Sequence, residues 1–160
     1  MRPITVVALL ALFIASPAGC GGGVGGTDAG WIEEADAICR ANESATASLS
    51  RRLESVVRTG LRTPNQRAAA AAIMQRGLPH LASEIAALRR LRPPSENGPS
   101  LFPLINRLMQ KHAVGERLSH AFATGAGPEI VALVRILEGN EKLTRRIARA
   151  AGLRVCGVNA

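Results

Sequence analysis

The sequence predicts an all-α protein, an up-down-up-down four-helix bundle that follows a cleaved signal peptide and a glycine-rich tether. Apolar residues recur at three- and four-residue steps over most of the chain, as they do along one face of a helix. Glycine and proline divide these stretches into four segments with two short connections, which favours antiparallel neighbours. Aromatic residues form only 2% of the chain, so aliphatic side chains typical of helices must fill the core.

The first helix is predicted from Ala29 to Arg58. Acidic residues occupy its first turns, where the positive end of the helix dipole stabilises negative charge, and Gly60 follows its end. Its stripe is apolar except for one asparagine and consists of Ala35, Ile38, Asn42, Ala45, Leu49, Leu53 and Val56.

The second helix begins at "TPNQ", Thr63 to Gln66. Thr63 is a suitable N-cap, Pro64 suits the first helical position, and Gln66 completes a capping box. Pro79 cannot donate a backbone hydrogen bond, so it either kinks this helix or splits it. The following "LRPPSENGP" is predicted to be a surface loop.

The third helix is predicted from near Ser100 to Gly125, with Pro103 in its first turn. Pro128 opens the fourth helix and Gly152 closes it. Leu153 then provides the apolar contact that often accompanies a glycine at a helix end.

The beginning of the chain is typical of an exported protein. A positive start and the run "ITVVALLALFIA" predict a signal peptide over residues 1–19, too short to remain as a membrane span. The residues before Cys20 resemble a bacterial lipobox, in which the cysteine receives a lipid, although Pro17 stands where an aliphatic residue is usual. The alternatives are cleavage after Ala18 with free secretion, and an uncleaved anchor. Residues 20–28 are predicted to form a flexible tether, and residues 29–157 the bundle domain.

Three cysteines are present, and an odd thiol is unusual in an exported protein. A lipid on Cys20 leaves Cys39 and Cys156 as an even pair for a disulfide in an oxidising compartment. In an up-down-up-down bundle, the start of the first helix and the end of the fourth lie at the same end of the molecule. The sequence therefore predicts a Cys39–Cys156 disulfide.

Two segments carry a resemblance. "ADAICRAN", Ala35 to Asn42, and "AAGLRVCG", Ala150 to Gly157, are similar to the two ends of a loose group of small actinobacterial exported proteins and lipoproteins. These proteins carry "ADAIC" near the mature start and "G-L-x-x-C-G" at the finish, and no activity is established for the group. The resemblance implies the disulfide and an extracytoplasmic location, and it carries over no catalytic residue.

The formal net charge is +8, almost entirely from arginine. A basic surface suits nucleic acid, anionic lipid or an acidic partner, and export argues against nucleic acid. We interpret the charge mainly as a solvated surface, with weak contact to phospholipid headgroups as the alternative.

Candidate functional residues are few. Asn42, His112, Asn140 and Glu141 fall near the predicted core stripes and form a possible interior polar site. Each also has a structural interpretation: Asn42 fixes helix register, His112 is a hydrogen-bonded core or rim residue, and Glu141 pairs with Arg145 one turn later. Asn140 and its acidic neighbours likewise suit a solvent face. We predict no catalytic residue, no metal site and no cofactor, since no established motif for them is present.

The leading functional hypothesis is a non-enzymatic lipoprotein on the outer face of the cytoplasmic membrane. Its helical domain would bind or scaffold another envelope component, a protein or a polymer, while the lipid contacts the membrane. The alternative is a carrier of a small ligand or a metal in the bundle interior. An enzyme is the weakest of the three.

Overall fold

The computed structural model describes residues 28–91 and 100–156, and these ranges contain helices and short connections without a strand. The helices are α1 (Asp28–Arg58), α2 (Pro64–Leu88), α3 (Phe102–Thr124) and α4 (Gly127–Ala150). Each helix packs against the next along the chain. The predicted all-α four-helix arrangement is therefore confirmed.

The predicted signal peptide (1–19) and Cys20 lie outside the described residues, as does most of the predicted tether (20–28). Asp28, which we assigned to the tether, is the first residue of α1. Across residues 28–91 and 100–156, no helix has the length and apolar character needed to cross a membrane.

The start of α2 follows the predicted capping box. The Gln66 amide donates to the Thr63 hydroxyl oxygen over 3.2 Å, and the Thr63 amide donates to the Gln66 side-chain oxygen over 3.0 Å. Pro64 occupies the first turn, where its missing N–H costs nothing. These reciprocal bonds fix where α2 begins.

Pro79 lies inside α2, which continues without a break to Leu88. The possibility that Pro79 splits this helix is therefore wrong. Proline removes the partner of the carbonyl four residues earlier, which belongs to Gln75. Both residues are exposed, so water can hydrate that carbonyl and the interruption is tolerated.

Glycines end α3 and α4 as predicted. Gly125 and Gly152 adopt the left-handed conformation, with φ of 75° and 78°. After α4, the Gly152 amide donates to the Arg149 carbonyl and the Leu153 amide to the Ala148 carbonyl, both over 3.0 Å. The Leu153 side chain is buried, so the expected apolar contact is present.

The buried apolar residues form two clusters, one at each end of the bundle. We call the first the stapled cluster, because it contains the cysteine pair; it includes Trp31, Ala35, Cys39, Leu88, Leu104, Leu108, Ala148, Leu153 and Cys156. We call the second the open cluster; its buried members are Ala70, Ala71, Leu118, Ala121, Phe122 and Leu133.

The predicted disulfide is confirmed. Cys39 on α1 and Cys156, after the end of α4, are bonded with their Cα atoms 5.2 Å apart, and both are buried. Beside this bond the buried Asp36 carboxylate accepts hydrogen bonds from three successive backbone amides, at 3.0 Å from Arg154, 2.8 Å from Val155 and 3.4 Å from Cys156. The segment after α4 is thus fastened to α1 twice.

Candidate functional site

A partly open cavity of about 360 Å³ lies among the four helices, in the half of the bundle that contains the open cluster. All four helices contribute apolar side chains to its wall: Leu53 from α1, Leu78 from α2, Phe122 from α3 and Val134 from α4. The wall is hydrocarbon over most of its surface. This is the common character of a small-molecule pocket, in which a few polar groups interrupt an apolar lining.

The cavity exists because the four helices do not close on one another equally. Close packing joins consecutive helices, whereas the link from α1 to the end of α4 is made through the disulfide and the Asp36 bonds at the stapled end. Small residues add to the space. A Cβ atom at Gly77, which lines the cavity, would have nothing within 4 Å.

Gly115 has the opposite role. A Cβ atom there would lie 2.9 Å from Leu78 Cδ2, so this glycine permits α2 and α3 to approach closely. The buried Ser119 hydroxyl then donates to the Ala71 carbonyl over 3.2 Å and joins the same two helices. The α2–α3 side of the cavity is therefore tightly packed.

The inner end of the cavity is polar and adjoins the stapled cluster. Asn42, Thr46, Ser50 and Lys111 line it. The Asn42 amide nitrogen donates to Glu84 Oε2 over 2.7 Å. Thr46 donates to the Asn42 carbonyl and Ser50 to the Thr46 carbonyl, so both hydroxyl oxygens keep lone pairs free to accept.

Glu84, which accepts the Asn42 bond, and Lys111 interact electrostatically at this polar end. Burial raises the pKa of Glu84 to about 7, against the opposing effect of the Lys111 charge. Burial likewise lowers the pKa of Lys111, against the opposing charges of Glu84, Glu141 and Glu43. The interior thus disfavours both charges, and each charge partly supports the other.

Glu84→Gln is expected to remove a pH-dependent part of the stability. The folded pKa of Glu84 is raised, so the folded state binds the proton more tightly than the unfolded chain does, and stability falls as pH rises from about 4.5 to about 7. The variant should match the wild type near pH 5 and gain on it near pH 8 by roughly 2 kcal/mol. Urea unfolding at the two pH values measures this, and a constant difference between the proteins would contradict it.

The outer end of the cavity lies at the α1–α2 and α3–α4 connections and carries Arg67. Arg67 Nη1 donates to the carbonyl oxygens of Leu61 and Arg62 over 3.4 and 3.3 Å. A Cβ atom at Gly125 would lie 3.1 Å from Arg67 Nε, so the glycine leaves room for the guanidinium. Arg67 and Lys111 are the charged residues of the cavity wall, one at each end.

The structure separates the polar residues that the sequence suggested as one interior site. Asn42 alone among them lines the cavity. Asn140 is buried, so its interpretation as a solvent-face residue is wrong. Its amide nitrogen donates to the Arg107 carbonyl over 3.1 Å, which joins α4 to α3. The predicted pairing of Glu141 with Arg145 is present at 3.3 Å, and His112 lies 3.8 Å from Glu116 at the rim.

Sequence reasoning missed Glu84, Lys111 and Arg67. The signal for the first two was their spacing: Glu84 is four residues before Leu88, and Lys111 is three after Leu108 and seven before Leu118. Charged residues at core positions of an amphipathic helix indicate an interior polar contact. Arg67 had no comparable signal, since it lies near the start of a helix where arginine is ordinary.

Two buried amide oxygens have no hydrogen-bond partner among residues 28–91 and 100–156: Asn42 Oδ1, on a residue of the cavity wall, and Asn140 Oδ1, on a residue outside it. Within the same ranges no group of three or more His, Cys, Asp or Glu side chains is arranged to hold a metal ion. Fold and site together define a four-helix bundle with a ligand-sized internal cavity. No family model matches the chain, and neither the curated proteins nor the solved structures gave a match.

Proposed function

We propose that the protein binds a small, largely apolar molecule inside the bundle and acts as a carrier without catalysis. The observation that carries the proposal is the cavity of about 360 Å³ with a hydrocarbon wall and polar ends. Its size falls in the range of known ligand pockets, roughly 300 to 1,000 Å³. This favours the second hypothesis from the sequence, in its small-ligand form.

Binding of another envelope component stays a prediction. Large exposed hydrophobic side chains in the described ranges are Phe102, Met109 and Ile136, on α3 and α4. Single exposed apolar residues are ordinary on a soluble surface. The interior therefore offers more specific support for a binding role than the exterior does.

The proposed location is the outer face of the cytoplasmic membrane, with the protein held by a lipid on Cys20. Its support is the apolar start of the chain, the lipobox-like residues before Cys20 and the glycine run after it. The disulfide agrees with an oxidising compartment. A tethered carrier of this kind would exchange its ligand close to the bilayer surface.

Gentle extraction from native membranes followed by intact native mass measurement tests both the carrier function and the lipid anchor. We expect a mature start at Cys20 with a diacylglycerol, and an additional mass that is lost when the protein is denatured. Gly77→Leu should abolish that mass, because its isobutyl side chain grows from the cavity wall where a Cβ meets no atom within 4 Å.

Gly139→Leu is the matched control. Gly139 is exposed on α4, does not line the cavity, and also has open space around an added Cβ. The control variant should retain the additional mass. Wild type that repeatedly carries no additional mass and takes up no apolar probe would overturn the carrier function, and a lipid-free start at Gly19 would overturn the anchor alone.

A further inference from the structure

The charges of the cavity wall indicate the charge of the ligand. Both charged side chains in the wall, Lys111 and Arg67, are basic. At Lys111 the carboxylates of Glu84, Glu141 and Glu43 already act on the ammonium group. Arg67 has no carboxylate within ion-pair distance among residues 28–91 and 100–156. The unbalanced positive charge of the cavity is therefore at Arg67.

The Arg67 guanidinium also has unused donors. Nη1 makes two long bonds to backbone carbonyls, at 3.3 and 3.4 Å, while Nε and Nη2 bond to none of the described residues. A guanidinium has five N–H groups in a planar fork that matches the two oxygens of a carboxylate or phosphate. The carbonyl bonds orient this fork without saturating it.

The position of Arg67 suits an ionised head group. It lies in the first turn of α2, it is partly exposed, and the neighbouring connections at Gly60 and Gly125 form the outer end of the cavity. An acidic group bound here stays in contact with water, so it avoids most of the cost of burying a charge. The apolar remainder of the ligand would extend inward past Phe122 and Leu78.

The length of the cavity fits one long acyl chain. Lys111 on α3 and Gly125, directly after the end of α3, mark the two ends of the cavity, and at 1.5 Å per residue they are about 21 Å apart along the helix axis. With a C–C bond of about 1.5 Å, each carbon of an extended chain advances roughly 1.25 Å, so about 16 carbons span this distance. The polar layer at Asn42 and Lys111 would stop a longer chain.

We propose that the ligand is a single-chain acidic amphiphile, whose acidic head group pairs with Arg67 and whose acyl chain of about 16 carbons fills the cavity toward Lys111. Free long-chain carboxylic acids and monoacyl phospholipids share this chemistry. The inference depends on the proposed carrier function and adds to it the ligand class and the residue that recognises the head group.

Calorimetric titration of the full, disulfide-bonded chain below the micelle concentration tests it with palmitate, 1-palmitoyl lysophosphatidic acid and hexadecanol. Arg67→Gln should weaken binding of the acidic probes about tenfold to a hundredfold, the value of a charge-assisted hydrogen-bonded pair, and leave hexadecanol unchanged. Arg76→Gln is the control, since Arg76 is exposed on the same helix and outside the cavity wall. It should alter none of the three affinities.

The outcomes separate the two proposals. Equal effects of Arg67→Gln on palmitate and hexadecanol, or no effect on either, would overturn the acidic head group while the carrier function stands. Acid binding that survives in Gly77→Leu would place it outside the cavity and overturn the inference. If the wild type binds none of the three probes and also carries no additional mass from native membranes, the carrier function itself is overturned. Weaker binding of the acidic probes alone in Arg67→Gln supports the proposal. The acidic probe that binds the wild type more tightly identifies the source of the acid.

Discussion

The double variant Cys39→Ala/Cys156→Ala is expected to unfold roughly 10 to 20 °C below the wild type. The bond joins residues 117 positions apart and therefore restricts almost the whole described chain in the unfolded state. In the chain-entropy account, a loop of this length contributes roughly 4 to 5 kcal/mol. Thermal unfolding followed by circular dichroism measures the difference.

Reductant provides the internal control for this prediction. It should lower the melting temperature of the wild type toward that of the double variant and leave the variant unchanged. Alanine is the appropriate replacement because both cysteines are buried, and a serine hydroxyl would add a desolvation cost of its own. A wild type whose melting temperature is the same with and without reductant would contradict the proposed contribution of the bond.

Asp36→Ala is expected to lower the free energy of unfolding by about 3 kcal/mol or more. The Asp36 side chain is only 4% exposed, and its carboxylate accepts the backbone amides of Arg154, Val155 and Cys156. Without it, three N–H groups at the end of the bundle lose their acceptor, and each buried donor left without a partner costs about 1 to 3 kcal/mol. Urea unfolding measures the loss.

Two further variants show whether the hydrogen bonds are responsible. Asp36→Asn keeps one acceptor oxygen, so it should cost less than Asp36→Ala. Glu34→Ala removes an exposed carboxylate from the same first turns of α1 and should change stability by no more than about 0.5 kcal/mol. Hydrogen exchange at the Val155 amide should accelerate in Asp36→Ala and stay unchanged in Glu34→Ala. If Asp36→Ala and Glu34→Ala cost the same, the carboxylate does not fasten the segment after α4.

The stapled cluster and the cavity lie in opposite halves of the bundle, because α1 and the segment after α4 are joined at one end only. The disulfide and the Asp36 bonds hold α1 to the segment after α4 at one end. At the other end, the four helices enclose the cavity beside the open cluster. Under the proposed carrier function, a ligand would enter between the helices at the cavity end, while the disulfide and the Asp36 bonds hold the opposite end together.

Local chemistry made much of this fold predictable. The start of α2 follows from Thr63, Pro64 and Gln66, whose capping bonds depend on residues three positions apart. The ends of α3 and α4 follow from glycines that adopt a positive φ at little cost. The Cys39–Cys156 pair was predictable once four antiparallel helices were expected, because only two cysteines remained after Cys20 was set aside.

Only the tertiary structure decided where the site lies. An apolar stripe shows which face of a helix is buried, but the distance between two buried faces depends on how all four helices pack at once. The cavity beside Gly77 and the contact between Asn42 and Glu84, which are 42 residues apart, both depend on that distance. Arg67 shows the same limit, since its sequence neighbourhood is ordinary and its place at the end of the cavity follows from the spacing of the helices.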